Sequence, residues 1–174
     1  MFNKILVATD GSKYANRAIV MAAGLAKAYN SEILLIYVVT NHQLPEGFQR
    51  MAEIEHLIDP SLGPDTQSPG NVAASMAKSL GVTNGENTPR LAHLLAERVI
   101  ENEKRNLGKQ NIENVKTFIL NGDPVSCISE LAKQENVDAV VLGSRGLGQI
   151  KGLLLGSVSH KIIQLLDCTC IISR

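Results

Sequence analysis

Apolar residues along this chain fall into two alternating kinds of run, and their order sets the expected architecture. Ile5–Thr9 is a short apolar run that stops at Asp10-Gly11-Ser12, after which Ala15, Ile19, Ala22, Leu25, Ala26 and Tyr29 recur at helical spacing. That predicts a strand, a turn and a helix, with Ser12 as the N-cap because its hydroxyl can accept from a free first-turn amide. Ile33–Val39 has no polar alternation and reads as a strand buried on both faces. The same grammar returns later. Val115–Leu120 is a strand, Gly122-Asp123-Pro124 supplies a turn, a cap and an N1 proline, and Val125, Ile128, Leu131 and Ala132 form a helical stripe. Val137–Leu142 is a second doubly buried strand ending at Gly143. Gly156-Ser157 opens a last helix carrying Val158, Ile162, Leu165 and Leu166, and Cys168–Ser173 is the final strand.

Between these halves the pattern breaks down. Pro45, Pro60, Gly63, Pro64, Pro69, Gly70, Gly81 and Gly85 interrupt an insert at about 41–88, in which short helices are expected near 48–58 and 72–80. Thr88-Pro89 then caps a helix whose Leu91, Leu95 and Val99 face the sheet, with Gly108 near its end. Five apolar strands alternating with four helices predict an α/β fold: a single domain built on a Rossmann-like open five-stranded parallel sheet with helices on both faces. In such sheets ligands sit beyond the carboxyl ends of the strands, where strand order reverses. Functional residues are therefore expected at Asp10, near Val38, and from Gly143 onward.

Composition narrows the function. In 174 residues, 17 Lys plus Arg balance 17 Asp plus Glu, so no net positive field attracts nucleic acid or an anionic membrane. Three Phe, three Tyr and no Trp leave few rings for base stacking. No apolar run approaches the roughly 20 residues that span a bilayer. Cys127, Cys168 and Cys170 do not make a disulfide framework, and with no signal-like N-terminus the expected location is cytoplasmic.

The strongest chemical signal is Gly143-Ser144-Arg145-Gly146, nine residues, then Gly156-Ser157. A phosphate chain needs inward-pointing amides with no Cβ in the way, which glycines in a strand-to-helix loop provide. Gly156-Ser157 adds a hydroxyl and the amides of a helix N-terminus, where the dipole favours an anion. Arg145 and Lys151 can neutralise phosphate charge if the loop folds inward.

With these motifs the chain resembles the universal stress protein family. The resemblance runs through Val7-Ala8-Thr9-Asp10-Gly11-Ser12, Leu34-Leu35-Ile36-Tyr37-Val38, Gly122-Asp123-Pro124, Asp138 to Gly146 and Gly156-Ser157-Val158-Ser159. It includes the Gly-x2-Gly-x9-Gly-[Ser/Thr] pattern of that family's ATP-binding branch and leaves the insert uncovered. It implies a fold like that of the adenine nucleotide alpha hydrolases, binding of ATP or another adenine nucleotide, and a homodimer formed through Cys168–Ser173. The implied binding residues are Thr9, Asp10, Val38, Gly143, Arg145, Gly146, Gly156, Ser157 and Val158. Val38 matches the position whose backbone recognises adenine, and Asp10 the acidic residue near ribose and phosphates. A carboxylate repels a polyphosphate unless a cation intervenes, so Asp10 implies either Mg²⁺ or contact with ribose hydroxyls.

Other readings have less support. The only Gly-Lys pair, Gly108-Lys109, lacks the flanking residues of a P-loop, and no dinucleotide fingerprint follows the first strand. Ser157, Ser12, His160 and Asp10 lack a nucleophile elbow, while His42, His56 and His93 have no ligand spacing. Cys168 and Cys170 share a strand face and are expected to be small buried side chains rather than metal ligands. A nucleotide-dependent stress-response or signalling module is the leading expectation. The alternatives are a slow Mg²⁺-dependent ATP hydrolase acting through Asp10, and a non-catalytic protein that docks a partner with its insert. Leu153-Leu154-Leu155 is expected to pack beside the base or cap the sheet.

Overall fold

The computed structural model describes residues 2–40, 88–146 and 155–174, with the backbone alone at 88–91. The short helices expected in the insert, His42, His56, Lys151, Leu153 and Leu154 lie outside the described residues. Along the chain run β1 (Lys4–Thr9), α1 (Lys13–Tyr29), β2 (Glu32–Val39), α2 (Thr88–Lys109), β3 (Val115–Asn121), α3 (Pro124–Gln134), β4 (Ala139–Gly143), α4 (Ser157–Leu165) and β5 (Thr169–Ser173).

The strands form one sheet in the order β3-β2-β1-β4-β5, and every pairing is parallel. Because side chains alternate across a strand, one residue in two serves each face. Ile5, Val7, Ile33 and Leu35 meet α1 and α2, where Ala18, Ala22, Ile100 and Leu107 close one core. Leu6, Leu34, Ile36, Val140 and Leu142 meet α3 and α4, where Ile128, Leu131 and Ile162 close the other. This two-sided burial is why β2 and β4 show no polar alternation. Alanines at 15, 18, 22, 23 and 26 give α1 its buried side, so its backbone can lie close over the middle of the sheet.

Boundaries differ from the expected ones in instructive places. Val137 precedes β4 rather than belonging to it, because its amide bonds back to Ala132 O at 3.1 Å and closes α3. Cys168 precedes β5, and Leu166 caps α4, which ends at Leu165. Gly108 lies inside α2. The stop there is Asn111 at φ 60°, followed by an Ile112 N to Leu107 O bond of 3.1 Å. Asn30 and Asn136 terminate α1 and α3 in the same left-handed conformation, with equivalent bonds from Ser31 to Ala26 and from Val137 to Ala132.

At the amino-terminal edge of the sheet, Asp138 ties β1 to the entry of β4. Its Oδ2 accepts from Asn3 N at 2.6 Å and Lys4 N at 2.9 Å. The bonds from Lys4 and Asn3 hold its carboxyl below the ordinary 3.8. A lowered folded-state pKa gives stability that is present above the unfolded value and lost as pH falls through the folded one. Asp138→Asn is therefore expected to lower stability by about 1 kcal/mol near neutral pH, a small value because solvent screens the site. The gap to wild type should close below about pH 4, as followed by thermal unfolding from pH 3 to 7.

Candidate functional site

Strand order reverses between β1 and β4: from β1 the chain builds outward through β2 to β3, then returns to the other side of β1 for β4 and β5. The crevice beyond the carboxyl ends of β1 and β4 is thus the ligand position of this topology. Two loops meet there, the turn after β1 and the glycine loop after β4.

The β1 turn is held by its own side chains. Gly11 takes φ 76°, a left-handed value that suits glycine. Thr9 Oγ1 accepts from Gly11 N at 3.2 Å, Asp10 Oδ1 accepts from Ser12 N at 3.0 Å, and Ser12 Oγ caps α1 by accepting from Ala15 N at 3.2 Å. One oxygen of Asp10 therefore fixes the turn, while Oδ2 faces Gly146: a Cβ added to Gly146 would lie 2.5 Å from it. Glycine at 146 is what lets the β4 loop run against this carboxylate.

The two halves of the glycine motif converge. Gly156 N donates to Ser144 O at 2.7 Å, and a Cβ on Gly156 would sit 3.4 Å from Arg145 Cα. Ser159 Oγ donates to Gly143 O at 2.7 Å, and Ser144 N donates to Ser173 O at 2.6 Å. The entry of the loop is thereby stitched to the first turn of α4 and to the end of β5. At α4, Gly156 is an N-cap without a side chain, whereas Ser12 caps α1 and Asp123 caps α3. The first intrahelical bond is His160 N to Gly156 O at 3.0 Å, so the amides of Ser157, Val158 and Ser159 are the donors that the helix itself leaves over. The Ser157 side chain is exposed and that of Val158 half-buried.

Other expected residues take definite places. Thr9 is buried with its hydroxyl engaged in the turn. Val38 is the penultimate residue of β2, in register with Leu120 and half-buried on the α3 and α4 side. Arg145 is half-buried beside Gly146. Gly143 has a packing role: a Cβ there would meet Tyr14 C at 2.7 Å and Ala15 N at 2.9 Å. The serine-histidine arrangement gains nothing, since His160 Nε2 lies 3.4 Å from Gln164 Nε2 and Ser12 Oγ is spent on the cap. His93 pairs with Glu97 along α2 at 3.6 Å.

One residue at this end of the sheet was not a sequence candidate. Tyr37 pairs with Thr9 across β1 and β2, and burial, aided by the charge of Asp10, pushes its phenol up to about 12. It stays protonated as a polar group near Asp10. Only the register of the two strands brings them together, and a doubly apolar run does not announce its register.

The chain belongs to the universal stress protein family, whose model matches residues 1–62 and 70–174. It is 31% identical over 179 residues to the universal stress protein YxiE of Bacillus subtilis, covering 100% of both chains. The structure of universal stress protein UspA from Lactobacillus plantarum superposes with a TM-score of 0.70 at 20% identity, covering 99% of this chain and 98% of that one. A universal stress protein solved in complex with cAMP superposes with a TM-score of 0.60 at 19% identity, covering 99% and 97%. These likenesses bear out the expected Rossmann-like parallel sheet. Among the described residues, no helix is long and apolar enough to cross a membrane.

Because the backbone of α1 blocks a side chain at Gly143, Gly143→Ala is expected to cost about 1–3 kcal/mol. In a domain of this size that lowers the melting temperature by roughly 2–10 °C, measurable by calorimetry.

Proposed function

We propose that this protein binds an adenine nucleotide, ATP among them, in the crevice between the β1 turn and the glycine loop, and serves as a nucleotide-dependent stress-response or signalling module. The observation that carries this reading is the meeting of the loop's two ends beside Asp10: Gly156 bonds to Ser144 while Gly146 abuts the Asp10 carboxylate. The cAMP complex of a relative with the same fold supports the ligand class.

In this reading the backbone of Gly146 and the leftover amides of Ser157 and Val158 hold phosphate oxygens, with Gly156 closing the loop on Ser144 and Arg145 adding positive charge. Thr9 holds the turn in shape and the Val38 main chain receives the base. Asp10, a hard oxygen ligand, holds Mg²⁺ against the phosphates or accepts from ribose hydroxyls. Binding rather than rapid turnover is the function, because Asp10 is already committed through Oδ1 to the turn and, among the described residues, no triad is assembled around it. Three free cysteines suit a reducing cytoplasm. The outer edge of β5 gives a second copy of the chain a strand to pair with, and we include a homodimer through Cys168–Ser173 in the proposal.

Calorimetric titration with ATP, AMP and cAMP, with and without Mg²⁺, tests the reading, and no binding of any of them to folded protein would overturn it. Gly146→Ala is the discriminating variant. Gly146 does not have a positive φ, so alanine fits its backbone, but the new Cβ must displace the Asp10 carboxylate. Nucleotide affinity is expected to fall at least about tenfold, roughly 1.4 kcal/mol, with the melting temperature nearly unchanged. Sedimentation at tens of micromolar, roughly, should show a dimer, and a purely monomeric species would remove β5 as an interface.

A further inference from the structure

Cys168 and Cys170 flank Thr169 at the start of β5, far along the sheet from the glycine loop. Both side chains pack against the α3 and α4 core, so they point to the same face, and both remain half-exposed and unoxidised. Cys170 Sγ leans back on its neighbour, donating to Cys168 O at 3.7 Å. This is a dithiol, in contrast to Cys127, whose Sγ donates to Asn121 O at 3.8 Å.

Geometry decides what such a pair can do. Thr169 is in strand conformation, so the two Cα atoms stand about 6.6 Å apart, twice the rise per residue. That is the far end of the disulfide range of roughly 4.4–6.8 Å, and parallel Cβ directions leave the Cβ atoms wider apart than the about 3.5–4.5 Å a disulfide requires. Two thiols on one face of a strand, with a disulfide between them disfavoured, leave their sulfurs open to a shared soft ion. Coordination number then selects the ion. Zinc takes four ligands, and among the described residues no group of three or more His, Cys, Asp or Glu side chains is assembled to hold a metal. Monovalent copper is soft, prefers thiolate sulfur and is satisfied by two ligands in line.

We propose that Cys168 and Cys170 form a two-coordinate site for Cu(I). Each Sγ–H bond breaks, each sulfur forms one bond to the ion, and two protons pass to solvent for every ion bound, with no change in the oxidation state of copper or sulfur. Burial holds both thiols above the ordinary 9.0, and the charge of Cys168 further raises Cys170, so the pair stays protonated until a metal displaces the protons. Side chains stand perpendicular to the hydrogen-bonding plane of β5, so pairing of that edge with another strand leaves the sulfur face distinct from the edge.

The test uses the full reduced chain under anaerobic conditions, titrated with Cu(I) held by the coloured chelator bicinchoninate. One Cu(I) per chain is expected to leave the chelator, with two protons released per ion and an X-ray absorption spectrum of two sulfur neighbours. Cys168→Ser and Cys170→Ser should each abolish the transfer by more than tenfold in affinity, Cys168→Ala should do the same, and Cys127→Ser should leave it intact. Circular dichroism establishes that each variant is folded. Retention of copper by the Cys168 variants, equal loss in Cys127→Ser, transfer of no copper, or oxidation to a disulfide in place of metal capture would each overturn the proposal.

Discussion

The structure depends on a close approach between three pieces of main chain. The carboxyl end of β4 is pressed against the first turn of α1, where a Cβ on Gly143 would stand 2.7 Å from a Tyr14 backbone carbon. The next residues run onto Asp10 at Gly146 and bond to the start of α4 through Ser144. A side chain at 143 would force β4 and α1 apart, so glycine there is a packing requirement, whereas one at 146 would displace only the Asp10 carboxylate. Alanines on the buried side of α1 complete the approach from below. Hydrophobic burial secures the sheet, while these contacts set the width of the crevice at the strand-order switch.

That constraint bears on how the proposed anion site fits a chain of zero net charge. Local electrostatics substitute for net charge: the amides of the first turn of α4 project from a cap that lacks a side chain, and the helix dipole adds to them. Against this stands Asp10, whose charge also opposes ionisation of Tyr37. The two signs lie at one crevice because its two loops have different origins, a β1 turn that uses a carboxylate to brace itself and a β4 loop whose described ends present bare backbone at Gly146 and Gly156. A ligand carrying both anionic oxygens and neutral hydroxyls, or an anion accompanied by a divalent cation, satisfies both sides. A bare anion satisfies only one.

Much of this was legible in the sequence, for identifiable reasons. The doubly apolar runs at Ile33–Val39 and Val137–Leu142, the latter entering the sheet only from Ala139, exist because both faces of the sheet are covered, and Ser12 and Asp123 cap helices because their oxygens reach free amides. The placement of Asp10 and Gly143 at strand ends followed from the order of elements. What could not be read depends on geometry between distant segments. The role of Gly143 requires knowing that α1 crosses β4, and that of Tyr37 requires the register between β1 and β2. The helix stops at Asn30, Asn111 and Asn136 were missed for a different reason. Asparagine is less tolerant of the left-handed region than glycine and so gives a weaker signal, although the same residue performs the same task three times.

The cysteines show how exposure changes the meaning of a residue. Small size and an apolar neighbourhood make a buried thiol the default for Cys168 and Cys170, and their contacts with the α3 and α4 core agree with half of that expectation. The other half fails because β5 is the last strand at its edge of the sheet, with α4 covering its start only partly. An edge strand brings water to side chains that would be sealed in β1 or β4 and keeps them reachable by small ions. The same edge position leaves the backbone of β5 free to pair, so one topological fact, the arrival of β5 outside β4, generates two separate surfaces. One lies in the plane of the sheet and offers backbone hydrogen bonds. The other is perpendicular to that plane and offers sulfur, and a ligand for one need not displace a partner from the other.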